Sequence, residues 1–289
     1  MYLLFDIGGT KMRLAISQDG EHFDAPVKVA TPTDDFAEGV RLFVETTREL
    51  SGGEPIAAVA GGIAGVFDAA AGALVSAPHL SGWIHKPLRE ELARAIGCDV
   101  FIANDAAVVG LGEAVSGAGL GHEIVAYLTV STGVGGARIV RGTIDAHRAG
   151  FEIGHHIINM NEPDVFCATC PEQGHVEGYI SGTAFEKRYG KKAYEVDDPA
   201  AWDSAARTLA VALNNVTVFW SPDILVLGGA MIVGDPAIPL ELVERYFEMV
   251  LKIFPERPRI ARAALGDVGG LYGALALLKN KPLKAKGKK

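Results

Sequence analysis

Short apolar runs that end in glycine recur along this chain of 289 residues. Such runs predict buried strands, and the glycines that follow them predict turns. They occupy residues 2–9, 56–65, 124–136 and 224–229. Segments with apolar residues at helical spacing lie among them, at 36–50, 88–96, 106–115, 202–220, 240–254 and 271–278. Strands alternating with helices in this way predict an α/β fold.

Two of these runs are followed by a returning apolar run, which predicts two hairpins. Their tips, residues 8–10 and 131–136, consist of glycine and hydroxyl residues, with Asp6 just before the first tip. Backbone N–H groups at such a tip can approach an anion closely, and Asp6 would hold Mg²⁺ through water. An ordinary buried strand with a tight turn is the alternative. Neither tip has P-loop spacing, which excludes that class of nucleotide site.

Asn104 and Asp105 follow a predicted strand, 99–103, and open a predicted helix, 106–115. Asn and Asp are common helix N-caps, and capping alone would explain them. The carboxyl end of a strand is also where open α/β sheets bind ligands. A carboxylate at this position could accept a proton from a substrate hydroxyl during phosphoryl transfer. The residues alone support both interpretations.

A cysteine pair flanked by histidines stands out in the second half of the chain. Cys167 and Cys170 lie between His155 and His175, so four candidate ligands fall within 21 residues. Zn²⁺ prefers sulfur and imidazole ligands, and this spacing predicts a zinc site. A reduced thiol pair in a loop and a site that has lost its metal are the alternatives.

The charge distribution limits the partners of this chain. Net charge is -8, yet six lysines and no acid occupy residues 279–289, which leaves 21 basic and 35 acidic residues before them. An acidic body argues against a nucleic-acid partner. No apolar run is long enough to span a bilayer, and the N-terminus carries no signal-peptide pattern, so we expect a cytoplasmic protein with no membrane partner. The glycine-rich stretch 117–121 predicts a domain boundary.

Taken together, the motifs resemble the ROK group of bacterial sugar kinases and repressors, within the actin-like ATPase superfamily. The resemblance runs from residue 2 to about 278, and it rests on residues 6–11, 103–106, 131–136, 152–155 and 222–229. It implies two ribonuclease H-like α/β domains with an interdomain cleft that closes on sugar and ATP and excludes water. We expect domains at 1–116, completed by a helix at 268–279, and at 117–267, with a disordered lysine-rich tail at 280–289.

The resemblance also implies residue roles. Asp105 is the catalytic base, and Asp6 lies near Mg²⁺. The sugar is bound by Gly62, Asn104, Asp105, Glu152, His155 and Glu177. The phosphates and the adenosine are bound by Asp6, Gly8, Gly9, Thr10, Lys11, Ser131, Thr132, Gly133, Gly135, Gly136, Gly228 and Gly229.

The zinc motif of the resembled family reads C-x-C-G-x-x-G-C-x-E. Here the first cysteine is shifted by one position, and His175 stands where the third cysteine would be. Histidine is a zinc ligand, so the altered motif is still compatible with a structural Zn²⁺ held by His155, Cys167, Cys170 and His175. His155 would then bind zinc through one ring nitrogen and the sugar through the other.

The resemblance predicts ATP-dependent phosphorylation of a hexose, glucose or a close relative, at its primary hydroxyl, by a homodimer. A kinase for N-acetylglucosamine, N-acetylmannosamine or fructose is the alternative within the family. The alternatives of another class are a sugar-responsive repressor of the same family, a non-catalytic sugar-binding or sugar-sensing protein, and an actin-like structural ATPase. Repressors of this group carry a helix-turn-helix before the first hairpin, and here one residue precedes the first strand.

Overall fold

A computed structural model of the protein describes residues 1–161, 165, 167 and 173–280. Their contacts divide the chain into two compact units. Unit 1 comprises residues 1–116, 142–150 and the chain from 265, and unit 2 comprises 117–141 and 151–264. Residues 281–289 of the predicted lysine-rich tail lie outside the described part of the chain. Among the described helices, none combines the length and apolarity that a membrane span requires.

The chain alternates between strands and helices. The strands are β1 (Tyr2–Ile7), β2 (Lys11–Ser17), β3 (Val27–Ala30), β4 (Ala58–Ile63), β5 (Val66–Asp68), β6 (Ala73–Ser76), β7 (Asp99–Asn104), β8 (Ile124–Val130), β9 (Val134–Val140), β10 (Thr143–Ile144), β11 (Ile224–Gly228) and β12 (Arg259–Arg262). The helices are α1 (Phe36–Ser51), α2 (Leu88–Ile96), α3 (Asp105–Ser116), α4 (Glu177–Ile180), α5 (Gly182–Tyr189), α6 (Pro199–Trp220), α7 (Ala230–Val233), α8 (Leu240–Val250) and α9 (Gly269–Lys279).

Unit 1 is built on a five-stranded sheet in the order β3-β2-β1-β4-β7. β1, β2 and β3 pair antiparallel, while β1, β4 and β7 run parallel. Asp6 of β1 lies in register with Gly62 of β4, which in turn is in register with Ala103 of β7. The carboxyl ends of the three parallel strands therefore meet at one edge of the sheet, where such sheets bind ligands.

The two faces of this sheet are packed differently. On one face, Leu3, Phe5 and Ile7 of β1 are fully buried in a core with Phe43 of α1 and Leu92 of α2. On the other face lie α3 and α9. These two helices cross at glycines, since a Cβ at Gly273 would lie 1.7 Å from the carbonyl oxygen of Val108 and one at Gly112 would lie 2.4 Å from that of Gly269.

The core of unit 2 lies between a sheet and its helices. Strands are ordered β10-β9-β8-β11-β12, and β11 runs parallel to both β8 and β12. Leu128 of β8 and Leu227 of β11 are buried against Leu213 of α6 and Val243 of α8. α6 starts with Pro199 after the N-cap Asp198, whose side chain accepts a hydrogen bond from the N–H of Ala200. A helix start of this kind is favourable because proline lacks the N–H that would be unpaired there.

The predicted α/β class is confirmed, but several glycine pairs lie inside strands rather than in turns. β4 continues through Gly61 and Gly62 to Ile63. A Cβ at Gly61 would lie 2.1 Å from the carbonyl oxygen of Phe5, so glycine is needed for close approach of β1 and not for a turn. Gly135 and Gly136 likewise belong to β9. The helix predicted at 240–254 ends at Val250.

Candidate active-site residues in each unit

The first glycine tip is a hairpin, as predicted. β1 and β2 pair antiparallel with Ile7 opposite Met12, and the N–H of Gly8 donates to the carbonyl oxygen of Lys11 at 3.0 Å. A Cβ at Gly9 would lie 2.5 Å from Cβ of His79, so no larger residue fits there without a shift of that loop. Thr10 and Lys11 are exposed beside these glycines. The tip thus presents backbone and a hydroxyl with little side-chain bulk around them.

Asp6 lies at the base of this tip with its side chain 16% exposed. Its Oδ2 accepts a hydrogen bond from Nη1 of Arg13 at 3.1 Å. Burial raises the pKa of Asp6, although the guanidinium of Arg13 opposes that shift. A partly buried carboxylate with one side-chain hydrogen-bond partner among the described residues is chemically suited to receive a water of a hydrated Mg²⁺ ion.

Asn104 and Asp105 stand where β7 passes into α3, at the same sheet edge as Asp6. Asn104 caps the helix, since its Oδ1 accepts the N–H of Ala107 at 3.0 Å. Its Nδ2 donates to the carbonyl oxygen of Gly65 at 3.0 Å and to Oδ1 of Asp105 at 3.2 Å. That same Oδ1 accepts the N–H of Ala106 at 2.8 Å. The capping interpretation therefore applies to Asn104, and its amide also helps to orient the Asp105 carboxylate.

Gly62 supports Asp105 from the neighbouring strand. A Cβ at Gly62 would lie 3.0 Å from Cα of Asp105 and 3.3 Å from Cβ of Val108. Side chains are thus kept out of the space between β4 and the start of α3, and backbone lines that part of the edge.

The second glycine tip, in unit 2, connects β8 to β9. The N–H of Ser131 donates to the carbonyl oxygen of Gly133 at 2.8 Å, which closes the turn. The beginning of α5 packs against it, because the N–H of Gly182 donates to the carbonyl of Ser131 at 2.7 Å and Oγ1 of Thr183 donates to that of Thr132 at 2.9 Å. The turn is therefore fixed by its own hydrogen bond and by the start of α5.

The third glycine pair comes close to the second tip. Gly228 ends β11, in register with Thr129 of β8, and Gly229 has φ of 87°. A Cβ at Gly229 would lie 2.3 Å from the carbonyl oxygen of Val130. Both the positive φ and the close approach require glycine. Unit 2 thus brings the glycines assigned to adenosine next to the end of the strand that leads into the second tip.

Three of the four predicted zinc ligands converge. Nδ1 of His155 lies 3.4 Å from Nδ1 of His175 and 3.7 Å from Sγ of Cys167. Tetrahedral Zn²⁺ with ordinary bond lengths would separate two nitrogen ligands by about 3.3 Å and a nitrogen from a sulfur by about 3.6 Å. The two separations from His155 fit that geometry, and the ligand atoms of all three residues lie within 4.8 Å of one another. Cys170 lies outside the described residues.

Glu152 and Glu177 flank this trio. Glu177 is 4% exposed, and its Oε1 lies 3.0 Å from Sγ of Cys167 while its Oε2 accepts the N–H of Val134 at 2.9 Å. Glu152 is nearly half exposed, and its Oε2 lies 3.9 Å from Nε2 of His155. Burial raises the pKa of Glu152, and His155 opposes that shift. Nδ1 of His155 thus faces Cys167 and His175, while its Nε2 faces Glu152.

Several residues that contact these sites are not predicted by the sequence analysis, and Arg13 and Thr183 illustrate two different reasons. Arg13 could have been found from the sequence, because a hairpin with its tip at 8–10 places residue 13 opposite residue 6. Thr183 holds the second tip from 51 positions away, and the sequence contains no signal for that contact.

Known proteins resemble this chain along almost all of its length. The sequence model described as "ROK family" matches residues 2–281. A glucokinase of Thermotoga maritima is 27% identical, with 96% of each chain covered. An N-acetyl-D-glucosamine kinase of Escherichia coli O127:H6 is 32% identical, with 96% of this chain and 99% of the relative covered.

Solved structures agree with these sequence matches. A ROK family glucokinase from Streptomyces griseus, crystallised in complex with glucose and AMPPNP, aligns with a TM-score of 0.78 at 27% identity. The alignment covers 96% of this chain and 98% of that one. The two-unit α/β architecture is that of the actin-like ATPases, and this chain belongs to the ROK family.

Proposed function

We propose that the chain is an ATP-dependent kinase that phosphorylates a hexose, glucose or a close relative, at its primary hydroxyl. The observation that carries the proposal is the Asp105 carboxylate, oriented by Asn104 and the N–H of Ala106 at the carboxyl edge of a parallel sheet. Two glycine tips of the kind that bind phosphate support it, as do relatives named as sugar kinases.

In the proposed reaction, the primary hydroxyl oxygen of the sugar attacks the γ-phosphorus of ATP. Asp105 accepts the hydroxyl proton, the bond from γ-phosphorus to the bridging oxygen breaks, and ADP leaves. The first tip, with Gly8, Gly9 and Thr10, binds phosphate oxygens through backbone N–H groups and a hydroxyl. Mg²⁺, when bound through water to Asp6, would neutralise charge on the phosphates.

On the sugar side, we propose that Asn104, Glu152, His155 and Glu177 bind hydroxyls other than the one that reacts. A sugar is a ring of hydroxyls, and amide, carboxylate and imidazole groups supply both donors and acceptors for them. Gly228 and Gly229, with the second tip, are the proposed binding residues for the rest of the nucleotide. Exclusion of water from the reacting groups would keep water from competing with the sugar hydroxyl.

The substrate test is an ADP-release assay with Mg·ATP over a panel of hexoses and N-acetylhexosamines. We expect turnover with glucose or a close relative. N-acetylglucosamine is the second candidate, favoured by the 32% identical relative named for that sugar. Turnover with one sugar names the substrate. Stabilisation by a sugar with no turnover on the whole panel would contradict the kinase and favour the sugar-sensing alternative.

We further propose that His155, Cys167 and His175, with Cys170, hold a structural Zn²⁺ ion. The two separations from His155, to His175 and to Cys167, match tetrahedral spacing and support this. Elemental analysis of purified protein is expected to find close to one zinc per chain, and His175→Ala is expected to remove it. The sugar KM should rise about 10-fold or more in that variant, because loss of the metal releases His155.

His22→Ala is the matched control for the zinc experiment, since His22 is 84% exposed and pairs with Asp19. It should retain both the metal and the KM of the unmodified protein. Protein that contains no zinc after expression in zinc-supplemented medium, yet has full activity, would contradict the metal site.

A further inference from the structure

A series of alternating charges extends from the base of the first glycine tip in unit 1. Nη1 of Arg13 lies 3.1 Å from Oδ2 of Asp6, and Nη2 of the same guanidinium lies 3.5 Å from Oδ2 of Asp267. Nζ of Lys28 lies 3.3 Å from that same oxygen of Asp267. Arg13 therefore joins two carboxylates, one at the proposed phosphate site and one on the segment that leads into α9.

The inner and outer pairs of this series differ in exposure. The side chains of Asp6 and Arg13 are 16% and 21% exposed, whereas those of Asp267 and Lys28 are 73% and 47% exposed. An exposed ion pair contributes little to stability. A largely buried ion pair must offset the loss of hydration of both ions. Replacing such a pair by apolar residues of similar volume often leaves the free energy of unfolding unchanged or raises it.

Burial of the Arg13 guanidinium also costs folding free energy, because one of its donors is unpaired within the described part of the chain. Its Nε is buried and has no hydrogen-bond partner among the residues that the structure describes. Buried donors without partners are rare, and each one calls for a reason. Local rules are most often broken at functional sites, so the Asp6–Arg13 pair is better explained by function than by folding.

Asp6 is held on a second side by α9. A Cβ at Gly270, in the first turn of that helix, would lie 3.1 Å from Cγ and 3.4 Å from Oδ2 of Asp6. Oδ2 is thus enclosed by the guanidinium and the helix. Oδ1 accepts no hydrogen bond from any residue within 1–161, 165, 167 and 173–280. One oxygen of the carboxylate is fixed, and the other is left for a ligand.

We propose that Arg13 is a positioning residue that holds Oδ2 of Asp6, so that Oδ1 faces the water shell of the Mg²⁺ ion of Mg·ATP. Asp267 supports it by fixing the second guanidinium nitrogen. The proposal rests on the kinase function proposed above. An arginine suits the task because its planar, forked donors contact two carboxylates at once, and the point charge of a lysine cannot do this in the same way.

The test compares the unmodified protein with Arg13→Met, Arg13→Lys and Asp267→Asn. Calorimetry measures the affinity for Mg·ATP, and steady-state kinetics measures the Mg²⁺ concentration that gives half-maximal rate. Because groups that orient a metal-binding carboxylate typically contribute 10- to 100-fold, Arg13→Met is expected to weaken Mg·ATP binding and raise the half-saturating Mg²⁺ concentration by about 10-fold or more. Arg13→Lys should recover part of this loss, and Asp267→Asn should show a smaller effect than Arg13→Met.

Lys28→Met is the matched control, because Nζ of Lys28 pairs with Asp267 and makes no hydrogen bond or ion pair with Asp6 or Arg13 in the described contacts. Lys28 lies opposite Arg13 in the pairing of β2 and β3, so this variant also tests whether a change beside Arg13 is enough to cause the effect. It should leave the Mg²⁺ dependence unchanged. Sugar affinity without nucleotide should stay within about twofold in every variant, since a positioning role confined to the metal side leaves it untouched. Thermal melts identify a variant that fails to fold, and Arg13→Lys then replaces Arg13→Met in the comparison.

The outcomes separate the two proposals. Unmodified protein that binds no Mg·ATP would overturn the kinase function and this inference with it. Unmodified protein that binds Mg·ATP, with folded Arg13 variants that keep its affinity and its Mg²⁺ dependence, would overturn the positioning role and leave the kinase function standing. An equal loss of sugar and Mg·ATP affinity in Arg13→Met would also overturn it, because that pattern indicates general damage to unit 1.

Discussion

Replacing Asp105 by Asn is expected to lower kcat for sugar phosphorylation by about 10³-fold, within the range that a positioned general base contributes. The asparagine keeps the size of the side chain and an oxygen that can accept the N–H of Ala106, now 2.8 Å from Oδ1. It cannot take the proton of the sugar hydroxyl. The affinity for the sugar, measured by calorimetry without nucleotide, should change little, because the same hydrogen-bonding shape remains.

Asp68→Asn is the matched control for this experiment. Asp68 is an acid of unit 1 at a surface turn, where its Oδ1 accepts the N–H groups of Ala70 and Ala71. We expect wild-type kcat in this variant. Activity in Asp105→Asn equal to that of the unmodified protein would remove Asp105 from the role of base, even if the kinase itself is confirmed.

Replacing Gly273 by Ala is expected to cause the largest loss of stability among single-methyl additions to unit 1. The added Cβ would lie 1.7 Å from the carbonyl oxygen of Val108 and 2.6 Å from its carbonyl carbon. Backbone atoms cannot move aside as a flexible side chain can, so α3 and α9 must separate. Overpacking of a close contact typically costs 1–3 kcal/mol, and we expect about 3 kcal/mol here in the free energy of unfolding by urea.

Gly269→Ala provides the control on the same helix. Its added Cβ would meet Cγ1 of Val109 at 3.2 Å, the end of a side chain that can shift by a small amount. The loss in that variant should be below about 1 kcal/mol, because the exchange also favours the helix. Similar free energies of unfolding for the two variants would show that the crossing of α3 and α9 tolerates expansion.

Helices and strands with strong periodicity can be predicted from the sequence. α1 is expected at 36–50 and observed at Phe36–Ser51. The apolar part of the run at 124–136, before the tip at 131, predicts a strand, and β8 lies there at Ile124–Val130. Local pattern suffices because each element buries one face or lies wholly inside the core. Strands β3 and β12 are not predicted, since they are short, lie at sheet edges and are largely exposed, so their pairing comes from neighbours rather than from their own residues.

Glycine is the residue whose role the sequence most often obscures. Turns are expected at Gly61 and Gly136 because glycine commonly marks turns, yet both lie in strands where an added Cβ would come within 2.5 Å of a carbonyl oxygen. Such an approach depends on a residue distant in sequence, Phe5 for Gly61, and cannot be recognised locally. Candidate residues such as Asp6, Asn104 and His155 can be named from motifs, but their hydrogen-bond partners require the three-dimensional arrangement.

The two ends of the chain build the same unit, and this has a consequence for synthesis on the ribosome. β1 of unit 1 begins at Tyr2. α9, which packs against α3 and against strands β1 and β4 of the same unit, begins only at Gly269. All of unit 2, up to residue 264, emerges before the residues that complete unit 1. We therefore expect the nascent chain to carry the face of α3 that α9 covers exposed for about half of translation, from the end of α3 at Ser116 to the start of α9 at Gly269. We expect the incomplete unit 1 to be prone to aggregation during that interval, since exposed apolar surface on incomplete domains promotes it.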